Sequence, residues 1–367
     1  MHLKHLNIIN YKNIKTVELD FLEGINCFVG NNGAGKTNLL DAIYYLSFCK
    51  SCFNSTENHL INHNEDFFVI QGEYQRNDSE ESIYAGFKRN QKKQFKRNKK
   101  EYSKLSEHIG LLPIVMVSPA DERLIVETSE QRRKYIDSVI SQFDKTYLEY
   151  LIQYNRALTQ RNTLLKNWKE TKGNIFSQLE LWDKQLATIG SVIFDKRAKF
   201  IQEIIPVFQK YYSSISAEEE VVNIIYHSHF QNKNYISLLS ENRERDLNLG
   251  YTTTGIHRDD LELLLNGYSV RSFGSQGQKK CFLIALKFAQ FDFLHTQNGF
   301  APLLLLDDIF DKLDKQRGTN LINITAQKQF KQIFITDTQK ERLINAVKNT
   351  GKEFSLFEVN EGSILFN

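Results

Sequence analysis

The most informative residues of this chain are the eight from Gly30 to Thr37, which read Gly-Asn-Asn-Gly-Ala-Gly-Lys-Thr. They fit the pattern G-x-x-x-x-G-K-[ST], in which glycines let backbone amides turn toward phosphate oxygens. In such a loop Lys36 supplies a positive charge for the β- and γ-phosphates, and the Thr37 hydroxyl can ligate magnesium. We therefore expect ATP and Mg²⁺ to bind at Gly30, Asn31, Asn32, Gly33, Ala34, Gly35, Lys36, Thr37 and the adjoining Asn38.

Two carboxylates, Asp307 and Asp308, directly follow an apolar run of four leucines, residues 303–306. Such a run is typical of a strand buried on both faces of a parallel sheet, and ligands gather at the carboxyl ends of these strands. We predict that Asp307 holds the magnesium ion together with Thr37. Asp308 is predicted to orient or deprotonate the attacking water. With Lys36, these aspartates are the candidate catalytic residues; the alternative is that they only begin a turn.

A third candidate group, Ser275-Gln276-Gly277-Gln278, opens an apolar, helix-periodic segment. A helix that begins in this way presents free amides, a hydroxyl and its positive dipole end to an anion. In order and spacing the segment resembles the signature of ABC ATPases, which contacts the γ-phosphate of a second subunit. We expect Ser275, Gly277 and Gln278 to bind the nucleotide of a partner; the alternative is a serine-capped helix start without a ligand. Residues 311–314, Asp-Lys-Leu-Asp, are similar to the D-loop of that superfamily.

The elements around these motifs are predicted from periodicity. The phosphate loop lies between a strand-like segment, 25–29, and a helix-like segment, 38–46. β-Branched and aromatic residues favour further strands at 67–74, 83–87, 111–117, 220–226, 261–265, 332–336 and 353–359. This pattern of strands and helices indicates an α/β fold.

Residues 119 to about 250 read differently, because their apolar residues recur at intervals of three and four with charged residues opposite. They predict a helical bundle or hairpin, including a segment from Leu179 to Tyr212 broken only near Pro206. We interpret the apolar stripes as the core of this lobe rather than as a groove for a partner. The predicted architecture is an ABC-type P-loop ATPase head with a mixed sheet, residues 1–118 and 268–367, and an inserted helical lobe, residues 119–267.

The chain as a whole resembles the RecF family of bacterial recombination mediators, SMC-like ABC ATPases. The resemblance covers about residues 3 to 340 and is carried by the motifs above together with the stretches at 118–121, 131–137, 154–158 and 160–166. A further segment, residues 254–262, is similar to the Gly-Pro-His-Arg-Asp-Asp segment of that family, with Ile256 where proline is usual. The insertion is too short for the long coiled coils of SMC proteins.

This resemblance implies a cytoplasmic, ATP-dependent homodimer that clamps double-stranded DNA at gaps beside single strands. With RecO and RecR it would help to load RecA, and slow, DNA-stimulated ATP hydrolysis would reset it. The resemblance also suggests that Lys12 reaches the nucleotide phosphates; an exposed lysine in a strand turn is the alternative. Residues 118–121 occupy the Q-loop position without a glutamine. Asp337 stands where many ABC proteins keep a switch histidine, which is compatible with slow hydrolysis.

The composition of the chain argues against a membrane protein and against a disulfide-rich protein. The chain has 367 residues, of which 41% are hydrophobic, and its net charge is +3. No apolar run approaches the ~20 residues of a membrane helix, so we expect no membrane association. The chain has only four cysteines, so we do not expect a disulfide framework. Cys49 and Cys52 form an isolated C-x-x-C pair, interpreted as incidental thiols rather than as a zinc or redox site.

A basic cluster is the candidate DNA surface, since the net charge is small. It comprises Lys88, Arg89, Lys92, Lys93, Lys96, Arg97, Lys99 and Lys100, interrupted by Phe95 and predicted to fold as a hairpin that turns near Asn98. Such a cluster can neutralise several phosphates; a solvated hairpin face is the alternative. Residues 132–134, Arg-Arg-Lys, allow the same interpretation or pairing with Asp137.

Other ATPase classes fit less well. An ABC-type ATPase acting on a non-DNA protein partner is the alternative function, but transport-type heads lack so long a helical insertion. Nucleases of the overcoming-lysogenisation type carry a further domain after the ATPase, for which the residues after Asp314 are too few. Phosphate-loop kinases have no use for an intersubunit signature.

Overall fold

The computed structural model describes residues 1–54, 56–76, 79–168, 175–216, 219–231 and 235–366. The chain divides into two units. Unit 1 contains Met1–Glu122, Lys210–Glu220 and Gly274–Asn367, and unit 2 contains Arg123–Gln209 and Val221–Phe273. The edges of unit 2 lie within a few residues of the predicted lobe boundaries at 119 and 267, but Lys210–Glu220, which lies inside the predicted lobe, groups with unit 1.

The strands of the described residues are β1 (His2–Tyr11), β2 (Ile14–Asp20), β3 (Ile25–Val29), β4 (Phe67–Arg76), β5 (Ser79–Lys88), β6 (Gln94–Arg97), β7 (Lys100–Glu101), β8 (Ile114–Val117), β9 (Val222–His227), β10 (Asp260–Leu265), β11 (Tyr268–Ser269), β12 (Leu303–Leu306), β13 (Ile333–Asp337), β14 (Phe354–Asn360) and β15 (Ser363–Phe366).

The α-helices of the described residues are α1 (Lys36–Phe48), α2 (Arg123–Val126), α3 (Ser129–Ile140), α4 (Lys145–Lys166), α5 (Ile175–Ser216), α6 (Tyr235–Glu241), α7 (Arg243–Leu249), α8 (Val270–Phe273), α9 (Gln276–Asn298), α10 (Lys315–Thr325) and α11 (Lys340–Lys348).

The first sheet of unit 1 is antiparallel, with strand order β2-β1-β4-β5-β6-β7. In β4 buried and exposed residues alternate, as expected for a sheet with one face in the core. Asn98 and Lys99 both have positive φ angles, 49° and 69°, and connect β6 to β7. This is the geometry of a tight hairpin turn, so the predicted turn near Asn98 is confirmed.

The second sheet of unit 1 is mixed, with order β15-β14-β3-β13-β12-β8. The pairs from β14 to β8 are parallel, and β15 is antiparallel to β14. Every residue of β3, β12 and β13 is buried, which confirms the prediction of central parallel strands. Val29 pairs with Asp337, and Ile335 pairs with Leu306, so β3, β13 and β12 end at one edge.

One hydrophobic core joins the two sheets of unit 1 to helix α1. It includes Ile8 and Phe68 from the first sheet, Phe28 and Phe334 from the second, and Leu39 from the helix. Phe28 stacks on Phe334, with ring centroids 6.4 Å apart. The loop before α1 is therefore anchored on both sides by buried apolar residues, which fix the direction of the helix.

Unit 2 combines helices with a small antiparallel sheet, β11-β10-β9. The predicted strands at 220–226 and 261–265 correspond to β9 and β10, so this unit is not purely helical. The predicted break near Pro206 is wrong, because α5 runs without interruption through that residue. Ile204 and Phe208 on either side are fully buried, and their packing offsets the hydrogen bond that proline removes.

Buried ion pairs hold the segment at 254–262 in unit 2. Arg197 of α5, only 2% exposed, bonds to the carboxylate of Asp259 and to the carbonyl of Ile256, both at 2.8 Å. It also bonds to Asp137 of α3 at 2.8 Å. Arg161 of α4 pairs with Asp183 and Asp246, each at 2.7 Å. Because each charge is paired, these contacts fix the mutual arrangement of the helices within the unit.

A membrane-spanning helix is not found: within the ranges that the structure describes, each helix is too short or too polar for this role.

Candidate nucleotide-binding site

The phosphate loop has the backbone geometry that its glycines predict. Gly33 and Gly35 have φ angles of 79° and 116°, in a region that other residues rarely adopt, and α1 starts directly afterwards. A Cβ atom on Gly30 would lie 2.2 Å from the carbonyl oxygen of Val359 in β14. Glycine is therefore required at position 30 because the loop passes against a neighbouring strand.

Lys36 lies under the loop with a largely buried side chain. Its Nζ donates to the carbonyl oxygens of Gly30 and Asn31, at 2.7 and 2.9 Å. Burial lowers the pKa of Lys36, while Asp308, Asp307 and Asp337 oppose the shift. The amine thus lies within the field of three carboxylates and inside the turn of the loop.

Thr37 and Asp307 meet although 270 positions separate them in the sequence. The Thr37 hydroxyl donates to Asp307 Oδ2 at 2.8 Å. The other carboxylate oxygen, Oδ1, accepts from the Thr336 hydroxyl of β13 at 2.7 Å. Burial raises the pKa of Asp307, and the charge of Asp308 raises it further. The two side chains predicted to hold magnesium are therefore in contact, and Thr336 supports Asp307; their role as metal ligands stays a prediction.

Asp308 has a left-handed backbone, with φ of 47°. Its amide donates to Thr336 Oγ1 at 2.9 Å, and its carbonyl accepts from Lys280 Nζ at 3.3 Å. The same threonine hydroxyl thus bonds both aspartates. Burial lowers the pKa of Lys280, and Asp308 opposes this shift.

These residues fit a magnesium–triphosphate ligand. Hard oxygen donors from Thr37 and Asp307 are of the type that Mg²⁺ prefers. The loop offers backbone amides and the N-terminus of a 13-residue helix to an anion. The chemistry of this donor set is therefore compatible with binding of a magnesium–nucleoside triphosphate.

Lys12 pairs with a carboxylate of helix α1. Its Nζ lies 2.6 Å from Asp41 Oδ2 of α1, a fully buried carboxylate that also accepts from the Tyr11 and Ser51 hydroxyls. The predicted contact of Lys12 with phosphate stays a prediction. The neighbouring Asn13 contacts the loop instead: it donates to the Ala34 carbonyl at 3.2 Å and accepts from Asn38 at 2.7 Å.

The signature residues form a capping box at the start of α9. Ser275 Oγ accepts from the Gln278 amide at 3.2 Å, and the Gln278 side chain accepts from the Ser275 amide at 2.8 Å. Gln278 also donates to Glu220. A Cβ atom on Gly277 would lie 2.7 Å from an Arg317 nitrogen. A contact of Ser275, Gly277 and Gln278 with a partner subunit's nucleotide stays a prediction.

Two further loops have defined roles within unit 1. Asp121, in the Q-loop position, accepts from the Ser118 amide and pairs with Lys287 of α9, at 2.7 and 2.8 Å. Asp314, the last residue of the predicted D-loop, caps α10 by accepting from the Arg317 amide at 2.9 Å. Neither contact involves the phosphate loop.

Asp337 ends β13 and is fully buried. Arg342 of α11 donates two hydrogen bonds to its carboxylate, from Nε at 2.9 Å and from Nη2 at 2.6 Å. Thr336 and Arg342 were not predicted from the sequence. The sequence signal for Thr336 is its place just before the aspartate that ends an apolar, strand-like segment. The signal for Arg342 is its position five residues after that aspartate.

The basic cluster is divided by its contacts. Lys93 pairs with Glu57, Arg97 pairs with Glu81, and Phe95 is buried in the core. Lys96 lies over the Tyr84 ring and Arg89 lies near Asp66. The exposed members of the cluster are Lys88, Lys92, Lys99 and Lys100. We refer to these four as the lysine face.

The basic residues at 132–134 pair within unit 2, but not with Asp137. Arg132 bonds to Asp260 through Nε at 2.6 Å and Nη2 at 3.0 Å, and Arg133 donates to the Asp259 carbonyl at 2.8 Å. Lys134 pairs with Glu130 of the same helix. Asp137 is instead occupied by Arg197.

The cysteines Cys49 and Cys52 are both free thiols. Among the residues that the structure describes, no group of three or more potential metal-binding side chains of the His, Cys, Asp and Glu types is found. Burial raises the pKa of the Cys49 thiol to about 12, which makes it a poor nucleophile and metal ligand at neutral pH.

Comparisons with a family model and with curated proteins both identify similarity to RecF proteins. The family model described as RecF/RecN/SMC N terminal domain matches residues 2–360. The DNA replication and repair protein RecF of Bacteroides fragilis (strain YCH46) is 52% identical over 365 residues, covering 99% of this chain and 98% of that protein. The protein of the same name from Flavobacterium johnsoniae is 48% identical over 359 residues, covering 98% of this chain and 100% of that one.

Solved structures agree with this result. A structure described as the recombination mediator protein RecF with ATP in the RecFOR pathway has a TM-score of 0.89 and 33% sequence identity, covering 100% of this chain and 97% of that chain. An Smc head from Pyrococcus furiosus has a TM-score of 0.60 at 17% identity, covering 100% and 96%, and supports the fold alone. Because similarity to RecF proteins extends over nearly the full length of both sequences, this chain belongs to the RecF family of DNA replication and repair proteins, with an SMC-like ABC ATPase head.

Proposed function

We propose that this chain is an ATP-dependent DNA-binding switch in recombinational repair and replication restart. The observation that carries the proposal is the 2.8 Å bond between the Thr37 hydroxyl and the Asp307 carboxylate. It brings a phosphate loop and a strand-end carboxylate into one site. Full-length similarity to proteins named for DNA replication and repair supplies the biological setting.

Each residue of the site has a distinct role in this proposal. Bound ATP with magnesium supplies the reactive phosphoryl group and its counter-charge. Lys36 and the loop amides hold the phosphates, and Thr37 and Asp307 would hold the metal ion. Asp308 orients the attacking water and accepts its proton. Thr336 keeps both aspartates in register through its bonds to the Asp307 carboxylate and the Asp308 amide.

ATP joins two copies of the chain in this proposal. Each nucleotide lies between Lys36, Thr37, Asp307 and Asp308 of one copy and Ser275, Gly277 and Gln278 of the other. The capping box leaves Ser275 at the start of a 23-residue helix, whose positive end favours an anion. Dimerisation forms a clamp on duplex DNA beside a gap, and slow, DNA-stimulated hydrolysis releases it. The named relative's place in the RecFOR pathway supports RecO and RecR as partners in RecA loading.

The lysine face is the proposed contact for the DNA backbone. Its four exposed ammonium groups lie on β5, β7 and the connecting turns. Contacts of this kind recognise phosphates rather than base sequence.

The decisive experiment measures binding of a fluorescently labelled gapped duplex to the Asp308→Asn variant, with and without magnesium-ATP. Sigmoidal binding that requires ATP is expected, because the variant traps the ATP-bound dimer. The Lys36→Met variant should neither dimerise nor bind DNA on ATP addition. Full dimerisation of Lys36→Met would refute the phosphate-loop assignment. ATP-independent DNA binding, or none, would indicate an ABC-type ATPase with a different partner.

A charge-matched pair of variants tests the DNA contact. Replacing Lys88, Lys92, Lys99 and Lys100 by glutamine should weaken binding and reduce the slope of log K against log salt by up to about 3.6, at roughly 0.9 per phosphate contact. The control replaces four other exposed lysines, Lys15, Lys328, Lys331 and Lys348. An equal loss in both variants would show that only net charge matters.

A further inference from the structure

Asp337 is part of the wall of the nucleotide site. Its carbonyl oxygen accepts from the amide of Gly30, the first glycine of the phosphate loop, at 3.4 Å. It pairs in register with Val29, the last residue of β3, and follows Thr336, which bonds Asp307. Its carboxylate is fully buried, and its charge acts on Lys36 together with those of Asp307 and Asp308.

This arrangement poses an electrostatic problem. The charges of three carboxylates act on the ammonium group of Lys36, at a site whose residues fit a polyanion. Asp307 can be neutralised by magnesium and Asp308 is needed for the attacking water, but Asp337 has neither role. A buried, uncompensated carboxylate beside a triphosphate is repulsive, and the low dielectric of the interior enlarges the repulsion.

Arg342 provides the missing positive charge. It binds Asp337 with two parallel N–H···O bonds and is held over the ring of Phe310, with its guanidinium carbon 5.3 Å from the ring centroid. This geometry is the strong, orientation-specific form of an arginine–carboxylate pair. The hydrogen bond to Asp337 raises the pKa of Arg342, and the charges of Asp308 and Asp311 raise it further. Arg342 therefore lies within the field of the strand-end carboxylates.

We propose that Arg342 is a positioning residue of the nucleotide site, which neutralises the Asp337 carboxylate so that the site accepts the γ-phosphate. This inference rests on the proposed ATP-binding function and adds a residue that selects ATP over ADP. Asp337 also accepts from the Gln339 amide at 2.9 Å, ahead of α11, so a purely structural role for the pair must be distinguished from an electrostatic one.

The test compares the affinities of fluorescently labelled ATP and ADP, each with magnesium, for the wild type and three variants. In Arg342→Gln the Asp337 carboxylate is uncompensated, so ATP affinity should fall at least about tenfold, with a smaller loss for ADP. Arg342→Lys, which retains the charge, should keep most of the preference for ATP. The double variant Asp337→Asn/Arg342→Gln removes both charges and should recover ATP binding to near the wild-type value.

A matched control is Lys340→Gln, which removes a positive charge from the same helix at a position paired with Glu358. It should bind both nucleotides as the wild type does. If both Arg342→Gln and the double variant lose as much affinity for ADP as for ATP, the pair is structural and the inference is wrong. If Arg342→Gln binds ATP normally, the inference is also wrong. Failure of the wild type itself to bind ATP would instead overturn the proposed function.

Discussion

Thr336 connects the two catalytic candidates at the scale of single residues. Its one hydroxyl donates to the Asp307 carboxylate and accepts from the Asp308 amide. Both groups sit at the end of β12, whereas Thr336 belongs to the neighbouring β13. The position of the proposed water-activating residue is therefore set by an adjacent strand as well as by its own.

Replacing Thr336 by valine tests this connection. The change preserves side-chain shape but removes the hydroxyl, so Asp307 and Asp308 each lose a bond. We expect the ATP hydrolysis rate to fall about tenfold or more, as happens when catalytic groups lose their supporting shell, with a smaller change in ATP affinity. The control is Thr296→Val, which removes a hydroxyl that bonds only within α9, to the Asp292 carbonyl. Unchanged hydrolysis in Thr336→Val would show that Asp308 needs no such support.

Residue types with a fixed spacing could be predicted from the sequence, whereas partners brought in by sheet order could not. Lys36 and Thr37 are adjacent in a known pattern, and Asp307 follows an unmistakable apolar run. Thr336 reaches the site only because β13 lies between β3 and β12, an order that periodicity does not reveal. For the same reason the sequence did not indicate that Arg342 pairs with Asp337.

At the scale of elements, the phosphate loop depends on a strand far away in sequence. Gly30 passes so close to β14 that the carbonyl oxygen of Val359 occupies the space of a side chain. The neighbouring Gly33 has open space around it. The same loop therefore contains a glycine required by packing and another required by its φ angle.

Gly30→Ala should distort the loop, since its Cβ would lie 2.2 Å from backbone that cannot rotate away. We expect ATP affinity to fall at least about tenfold, together with a loss of stability of roughly 1–3 kcal/mol, as overpacking generally causes. Calorimetric titration with ATP and thermal melting measure the two effects. Gly318→Ala in α10, where an added Cβ would make only ordinary contact with Phe310 at 3.6 Å, is the control for the cost of adding a methyl group to a glycine. Normal ATP binding by Gly30→Ala would mean that β14 yields readily.

Helices and strands were largely predictable where apolar residues recur at regular intervals in the sequence. The predicted strands from 67 to 74 and from 353 to 359 match β4 and β14 to within two residues at each end. The strands β1 and β2 were not predicted, because they contain Asn, Lys, Glu and Asp residues that are uncommon in strands. Pro206 misled the prediction in α5, since the local preference of proline is overridden by packing on both sides.

At the scale of the whole molecule, each unit contains a buried histidine whose imidazole is neutral, His108 in unit 1 and His257 in unit 2. Burial lowers the pKa of His108 in unit 1 and of His257 in unit 2 to about 4, from an ordinary value of 6.5. His108 Nε2 bonds to the Leu46 carbonyl at 2.7 Å, and Nδ1 bonds to the Tyr102 hydroxyl at 3.0 Å. An unfolded chain would take up protons on these histidines between pH 6.5 and 4, whereas the folded protein would not.

Stability should therefore fall as the pH is lowered through this window and be fully present above it. The shift corresponds to roughly 3 kcal/mol for each histidine. His108→Gln should be less stable at pH 7 but lose less stability between pH 7 and pH 4.5, as measured by urea unfolding at each pH. The exposed His59→Gln should keep the wild-type pH dependence. Identical pH dependence in His108→Gln and the wild type would mean that His108 is not neutral when buried.

The left-handed backbone of Asp308 has a consequence for natural variation and engineering. A φ of 47° is costly for a residue with a side chain, and glycine or asparagine relieves that cost. Selection for stability alone would thus favour glycine at this position, and under the proposed role of Asp308 its presence is a compromise between stability and ATP hydrolysis. Asp308→Gly should accordingly melt at a higher temperature than the wild type while hydrolysing ATP far more slowly. A stabilised variant from an unbiased screen that is substituted at position 308 is therefore also a candidate for an inactive one.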